Sequence, residues 1–336
     1  MKAVRFGIIG AGRMGRAHAT IVAKEVPRAE LVAVADTNAE RARSIARDLG
    51  AEAFYTNYKE LLERRDVDAV IVATPTPTHH RITVDSAKAG KHVFCEKPIA
   101  LSMKEADKSI ETCKSAGVSL MIGFMRRFDP AFLDAKRKID QGFLGKPLLF
   151  KSNHRASLPP DWVLDPNLGG GIVVDFLIHD VDLARWYIGN DVETVHAVGS
   201  ALVYKEKRRK LPDFVDNVLV SLKFQNGDLA VVDASATADY AYDVRGEILC
   251  SKGVIFIGDL RERPIETLTA AEARYPLSQD FLRRFWVAYV EEMKHFVDCV
   301  MKGKTPAVTG EDGRAALEIV IAARKSMKDG AIVTLT

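Results

Sequence analysis

No apolar run in this chain reaches the ~18 residues that a membrane-crossing helix needs, so no membrane partner is expected. Cysteine is scarce. The four thiols, Cys95, Cys113, Cys250 and Cys299, lie far apart and form no C-x-x-C pair. That spacing argues against a disulfide framework and a cysteine-rich metal site, and fits a reducing compartment. Charge of one sign is lacking too. With 48 basic and 45 acidic residues the net charge is +3, too little to point to nucleic acid. The one basic run, KEKRRK at 205–210, leads into Leu-Pro-Asp and reads as a solvated loop. There is no internal repeat and no low-complexity tract. The opening MKAVRFGIIGAG runs into a glycine turn instead of a cleavage site, so the expected location is cytoplasmic.

What is present is length and alternation. The 336 residues exceed one ordinary core, so two domains are expected. Short apolar runs at 4–9, 31–35, 69–73, 92–95 and 118–122 read as strands. Helical segments at 13–24, 38–49 and 102–116 separate several of them. Such a pattern makes an α/β fold with a parallel sheet covered on both faces. Gly10-Ala11-Gly12-Arg13-Met14-Gly15 follows the first strand and opens the first helix. In a G-x-G-x-x-G turn the first glycine bends the chain, the second admits a pyrophosphate and the third lets helix meet strand. Asp36 ends the second strand, where a carboxylate accepts from adenosine ribose hydroxyls and repels a 2′-phosphate. The predicted domain 1–123 is therefore a Rossmann domain for NAD in preference to NADP, with Arg41 and Arg43 near enough to keep NADP open.

Two strand ends are polar: Thr74-Pro75-Thr76-Pro77, followed closely by His79, and Glu96-Lys97-Pro98. Ligands collect at such ends in open α/β sheets, which makes Thr74, Pro75, His79, Glu96 and Lys97 candidate cofactor contacts. Lys97 reads equally as a surface lysine paired with Glu96.

After residue 123 the pattern changes. A helix is expected at 130–141, a strand at 148–152, and further strands at 195–203, 217–224, 229–236, 245–250 and 254–257. Helices at 281–301 and 311–327 and a strand at 332–335 close the chain. The domain 124–336 is expected to be α+β with a large, mostly antiparallel open sheet. Inside it, GGGIVVDFLIHDVDLARW at 169–186 reads as one buried helix over 172–188. On that helix Asp175, His179 and Asp182 share a face at i, i+4 and i+7. Buried charge is costly unless paired or used. The stripe is either a satisfied ion pair or one side of a cleft. A metal lacks an obvious third ligand, so none is expected. Oxidising a secondary alcohol needs a base for the O–H proton and a cation near the developing alkoxide. His179, oriented by Asp175, and Lys97 supply those types.

GIIGAGRMGRAHA, FCEKPIA, GFMRRFDP and the 169–186 stretch together resemble the Gfo/Idh/MocA oxidoreductases over essentially the whole chain, most closely the inositol 2-dehydrogenase type. The resemblance implies catalytic roles for Lys97, Asp175 and His179 in turning a ring CH–OH of a cyclitol or sugar into a ketone. It implies substrate contacts from Arg127, His154, Tyr240 and Tyr242, ordinary sheet aromatics being the other reading of the tyrosines. It also implies a substrate and oligomerisation domain that forms dimers or tetramers. It further implies a C-terminal segment near the first domain and a cis Lys97-Pro98 bond. One departure stands out. The family's inositol dehydrogenases tend to read His-Arg-Asn-Pro where this chain has His154-Arg155-Ala156-Ser157. Scyllo-inositol, another cyclitol or a pyranose are therefore open beside myo-inositol. A NAD-dependent glycosidase and a NAD-binding regulator without turnover are the alternatives of other classes.

Overall fold

A computed structural model of the chain describes residues 3–165, 168–262 and 265–335. Its contacts gather into two compact units. One comprises Met1–Phe128 with Val287–Leu317, the other Asp129–Trp286 with Glu318–Thr336.

In the first unit the apolar runs become parallel strands because helices cover them on both faces. In chain order they are β1 (Val4–Ile9), α1 (Arg13–Lys24), β2 (Ala29–Ala35), α2 (Ala39–Leu49), β3 (Ala53–Tyr55), α3 (Tyr58–Leu62) and β4 (Ala69–Val72). Then come α4 (His79–Lys88), β5 (His92–Glu96), α5 (Met103–Ser115) and β6 (Leu120–Gly123). The sheet runs β3-β2-β1-β4-β5-β6, so the winding reverses between β1 and β4. That reversal places the ends of β1, β4 and β5 in a row, the crevice where nucleotides bind in this architecture. Helix starts carry their own caps: Asn38 accepts from Arg41 N, and Ser102 accepts from Glu105 N. The short elements β3 and α3 were not expected, being too short to show a period. Helix α4 was also missed, because it follows directly on the Thr-Pro run.

The second unit continues with α6 (Pro130–Asp140), β7 (Pro147–Arg155), α7 (Asp161–Leu164), α8 (Gly171–Asp175) and α9 (Leu177–Ile188). Next are β8 (Val192–Ser200), β9 (Asn217–Phe224), β10 (Leu229–Ser235), β11 (Asp243–Cys250), β12 (Gly253–Ile257) and the small hairpin β13 (Thr267–Leu268) and β14 (Ala273–Arg274). Helices α10 (Phe281–Lys302) and α11 (Gly310–Asp329) contribute to both units, and β15 (Val333–Thr334) ends the chain. The sheet order is β12-β11-β7-β10-β9-β8-β15. It is mostly antiparallel, with β7 and β10 parallel. Along β7 burial alternates, so Phe150, Ser152 and His154 face inward.

Two expectations need correction. The strand read over 195–203 stops at Ser200, because the buried Asp216 carboxylate accepts from the backbone N–H groups of Leu202, Val203 and Tyr204 and folds that segment into a loop. The helix read over 172–188 is broken at Phe176. The Phe176 carbonyl accepts from His179 N three residues on, and His154 Nδ1 approaches it at 3.3 Å from β7. Diverted this way, the carbonyl leaves the regular i, i+4 ladder. Among the described residues no helix is long and apolar enough to cross a membrane, and no group of three or more His, Cys, Asp or Glu could hold a metal ion.

Candidate active site

The glycine turn sits at the carboxyl end of β1. Gly10 has φ of +101°, and a Cβ there would lie 2.5 Å from the Ala73 carbonyl. A Cβ on Gly15 would lie 1.7 Å from the Gly10 carbonyl, so helix and turn meet in direct backbone contact. Gly12 differs: a Cβ there would meet nothing within 4 Å. The turn is therefore open on the side of its second glycine, where a pyrophosphate approaches. Gly12 caps α1 without a side-chain hydrogen bond, and the first turn holds no acidic residue. Its N–H groups and helix dipole suit an anion. Arg13 is exposed and Met14 half-buried at this end.

Asp36 is half-buried at the end of β2. Its Oδ2 accepts from Ala11 N at 2.6 Å, and Oδ1 accepts from Asn38 N at 2.8 Å. The carboxylate thus ties the glycine turn to the second strand end. These residues fit NAD: an open glycine cradle, an uncapped helix start and a fixed carboxylate beside it.

At the next strand end Thr74 is half-buried and Pro75 exposed. His79 lies a layer beneath them, almost fully buried. Its Nε2 is 2.7 Å from the Thr74 carbonyl and its Nδ1 2.8 Å from the Pro98 carbonyl. The ring thereby braces the two polar strand ends against each other. Burial lowers its pKa, while the two carbonyls pull the other way. Its ring is engaged by protein backbone, which makes it a support for the crevice.

Glu96 ends β5 and is buried. Its Oε1 meets His18 Nε2 at 2.6 Å, and its Oε2 accepts from Lys97 N at 3.3 Å. The carboxylate is thus engaged by His18, a partner on α1 that the sequence did not suggest. Lys97 is half-buried between buried Glu96 and Pro98, and the Lys97-Pro98 bond is cis. Arg127 is also buried in this unit, with Nη2 donating to Asp312 Oδ1 at 3.0 Å.

In the second unit the structure brings His154 and Tyr242 to Phe176, the residue between α8, which ends at Asp175, and α9, which carries His179. Gly170 and Gly171 both have positive φ and lead into α8. Val174 packs against Gly170, where a Cβ would lie 2.6 Å away. Asp175 ends α8 and is half-buried, the one residue between Ile172 and Ala184 that is not buried. His179 is buried on the first turn of α9. The His154 ring stacks on Phe176 at 4.5 Å between centroids and meets Tyr242 edge-on at 5.6 Å. Phe176 lies between Asp175 and His179 in sequence, so His154 is placed at the junction of the two helices.

Sequence reading missed Asp180 and Ser152. Asp180 is fully buried; its Oδ2 lies 3.1 Å from His154 Nδ1 and its Oδ1 accepts from Ser152 Oγ at 2.6 Å. The signal was available: the alternation of β7 puts Ser152 and His154 on its inner face, and such groups require a polar partner on the covering helix. Asp182, placed by spacing on the face with Asp175, is buried as well.

Tyr240 goes elsewhere. It is exposed, and its hydroxyl donates to Asp243 Oδ2 at 2.7 Å. Partial desolvation of the hydroxyl and then that hydrogen bond raise its pKa. Of the two tyrosines, Tyr242 is the one against His154.

Comparison with known proteins points to one family. A family model described as oxidoreductase family, NAD-binding Rossmann fold, matches residues 4–124, and a model of the GFO/IDH/MocA C-terminal domain matches residues 132–256. A scyllo-inositol 2-dehydrogenase (NAD(+)) of Bacillus subtilis is 40% identical over 333 residues, spanning 99% of this chain and 96% of its own. A myo-inositol 2-dehydrogenase of Thermotoga maritima is 41% identical over 338 residues, spanning 99% and 98%. The crystal structure of a scyllo-inositol dehydrogenase from Lactobacillus casei with bound NAD(H) and scyllo-inositol superposes with a TM-score of 0.93. It shares 26% identity and covers 99% of each chain.

Proposed function

This chain belongs to the GFO/IDH/MocA oxidoreductase family, and we propose that it oxidises a ring secondary alcohol of a cyclitol to the ketone with NAD. The observation that carries the cofactor is the glycine turn, open over Gly12 and tied to Asp36. When bound, the nicotinamide supplies the hydride acceptor. The remaining work belongs to the chain. His179 takes the hydroxyl proton, the general-base role for which imidazole is the usual side chain. Asp175 orients that imidazole and stabilises its protonated form. Lys97 places a cation at the substrate oxygen as alkoxide character develops. His154 and Tyr242 line the substrate side, with Asp180 holding His154 by Nδ1. Arg127, held by its pairing with Asp312, is a further substrate contact in this reading.

Relatives named for both scyllo- and myo-inositol support the cyclitol class. The test is NADH absorbance with a panel of inositols and aldopyranoses, each run with NAD and NADP. A rise with a cyclitol and NAD is the expected result. A flat trace across the panel despite measured NAD binding would overturn the substrate class. Product release without net NADH from a glycoside would instead reveal a glycosidase. A homodimer or homotetramer is the proposed assembly.

The cofactor assignment has its own test. Asp36→Ala is expected to weaken NAD about tenfold, roughly the contribution of one hydrogen bond to a charged group. It should also narrow the preference over NADP. Dissociation constants for both cofactors, measured by fluorescence titration, check this. The ratio is informative because loosening of the Ala11 turn affects both cofactors alike. An unchanged ratio would remove the role of Asp36 in choosing NAD.

A further inference from the structure

Helix α10 carries a carboxyl that the mechanism does not use. Glu292 is fully buried, and among the described residues neither side-chain oxygen has a hydrogen-bond partner. It belongs to the same compact unit as α1 and β5. Two titratable groups face this part of the helix. His18 of α1 packs edge-on against Tyr289, one turn before Glu292, at 5.8 Å between ring centroids. Glu96 of β5 is held by that same His18, and β5 packs on this stretch of α10, Phe94 lying 5.8 Å from Phe296 between ring centroids. Glu96 cannot move aside. Its Oε1 is held by His18 Nε2 at 2.6 Å, and it packs over Gly123, where a Cβ would lie 3.2 Å from its Oε2. His18 is itself fully buried and edge-on to Phe94 at 5.2 Å.

Two ionised carboxylates do not share a buried space without a cation to pair them; one keeps its proton. Glu96 is engaged by His18 Nε2 and accepts from Lys97 N, whereas among the described residues neither oxygen of Glu292 has a hydrogen-bond partner. We propose that Glu292 is carried as a neutral carboxylic acid and serves as a positioning residue beside Glu96, which anchors the Glu96–Lys97 strand end. Burial first, and then the Glu96 carboxylate, push Glu292 well above the ordinary carboxyl range, in keeping with this assignment.

The positioning role rests on the reading of Lys97 given above; the protonation state does not. Infrared spectroscopy of the full-length protein at neutral pH should show the carbonyl stretch of a protonated carboxylic acid. Glu292→Gln should remove that band and Glu96→Gln should leave it. Absence of the band in the unsubstituted protein, or its survival in Glu292→Gln, overturns the proposal, whatever the substrate proves to be. Melting adds a second readout. A carboxyl whose folded pKa is raised makes the folded state hold a proton that the unfolded chain releases, so stability falls as pH rises from the unfolded value toward the folded one. Glu292→Gln lacks that slope: its Tm should exceed the parent's at pH 8, and the gap should close toward pH 4. A gap independent of pH overturns the proposal. In turnover, Glu292→Gln should restore the activity that Glu292→Ala loses, because the amide reproduces a neutral acid. If Gln is as damaging as Ala, the ionised form is the one required and the proposal fails.

Discussion

Replacing Lys97 by methionine is expected to lower kcat about 10³-fold and leave NAD affinity within a few-fold of the parent. Methionine keeps an unbranched apolar stem of similar reach, so the loss reports the charge and not the packing. The large effect follows from where the cation sits. Lys97 follows a buried carboxylate whose Oε1 is engaged by His18, and it stands at the carboxyl end of the strand next to β4. In the proposed mechanism its ammonium meets negative charge that exists only as the hydroxyl is deprotonated. Such an interaction lowers the barrier without tightening the ground state, so it appears in kcat. Stopped-flow measurement of NADH formation beside a fluorescence titration of NAD separates the two. A loss confined to NAD affinity would remove the role given to Lys97.

His179→Ala is expected to cost a similar factor, about 10³-fold in kcat/KM. His179 is buried on the first turn of α9, beside a helix break that the Phe176 carbonyl and His154 create. The break matters to the base. It allows Asp175 to end one helix half-exposed while His179 begins the next under cover. A pH series of kcat/KM checks the assignment. Turnover within a few-fold of the parent would mean that another group takes the proton.

The cofactor half of this account was legible in sequence because its signals are local. Gly10, Gly12, Gly15 and Asp36 are set by turn geometry and by the end of a strand, and both occur within a short span of chain. The glycines showed the positive φ at Gly10 and the close contact at Gly15 that the motif requires. Asp175 and His179 were legible as polar residues in an apolar run. What could not be read was pairing across distance. The His18–Glu96 contact joins residues 78 apart in sequence, and nothing local in either marks the other. Asp180 was passed over because an unbroken helix turns it off the face shared by Asp175, His179 and Asp182. Its partner, His154, comes from a strand. His79 was read from its place after the Thr-Pro run, and only the fold shows its ring engaged by two carbonyls. Glu292 left a trace that was not followed. It falls in the buried stripe of α10 with Phe285, Tyr289, Phe296 and Cys299, at the spacing that marks the inward face of a helix.

Direct transfer of hydrogen tests the central claim most closely. A cyclitol carrying deuterium at the reacting ring carbon would be turned over with NAD, and the recovered NADH analysed by mass and NMR. The account predicts one deuterium per NADH, held at the nicotinamide C4, with none lost to water. Deuterium appearing in the solvent, or unlabelled NADH from fully labelled substrate, would contradict hydride transfer from a ring CH–OH.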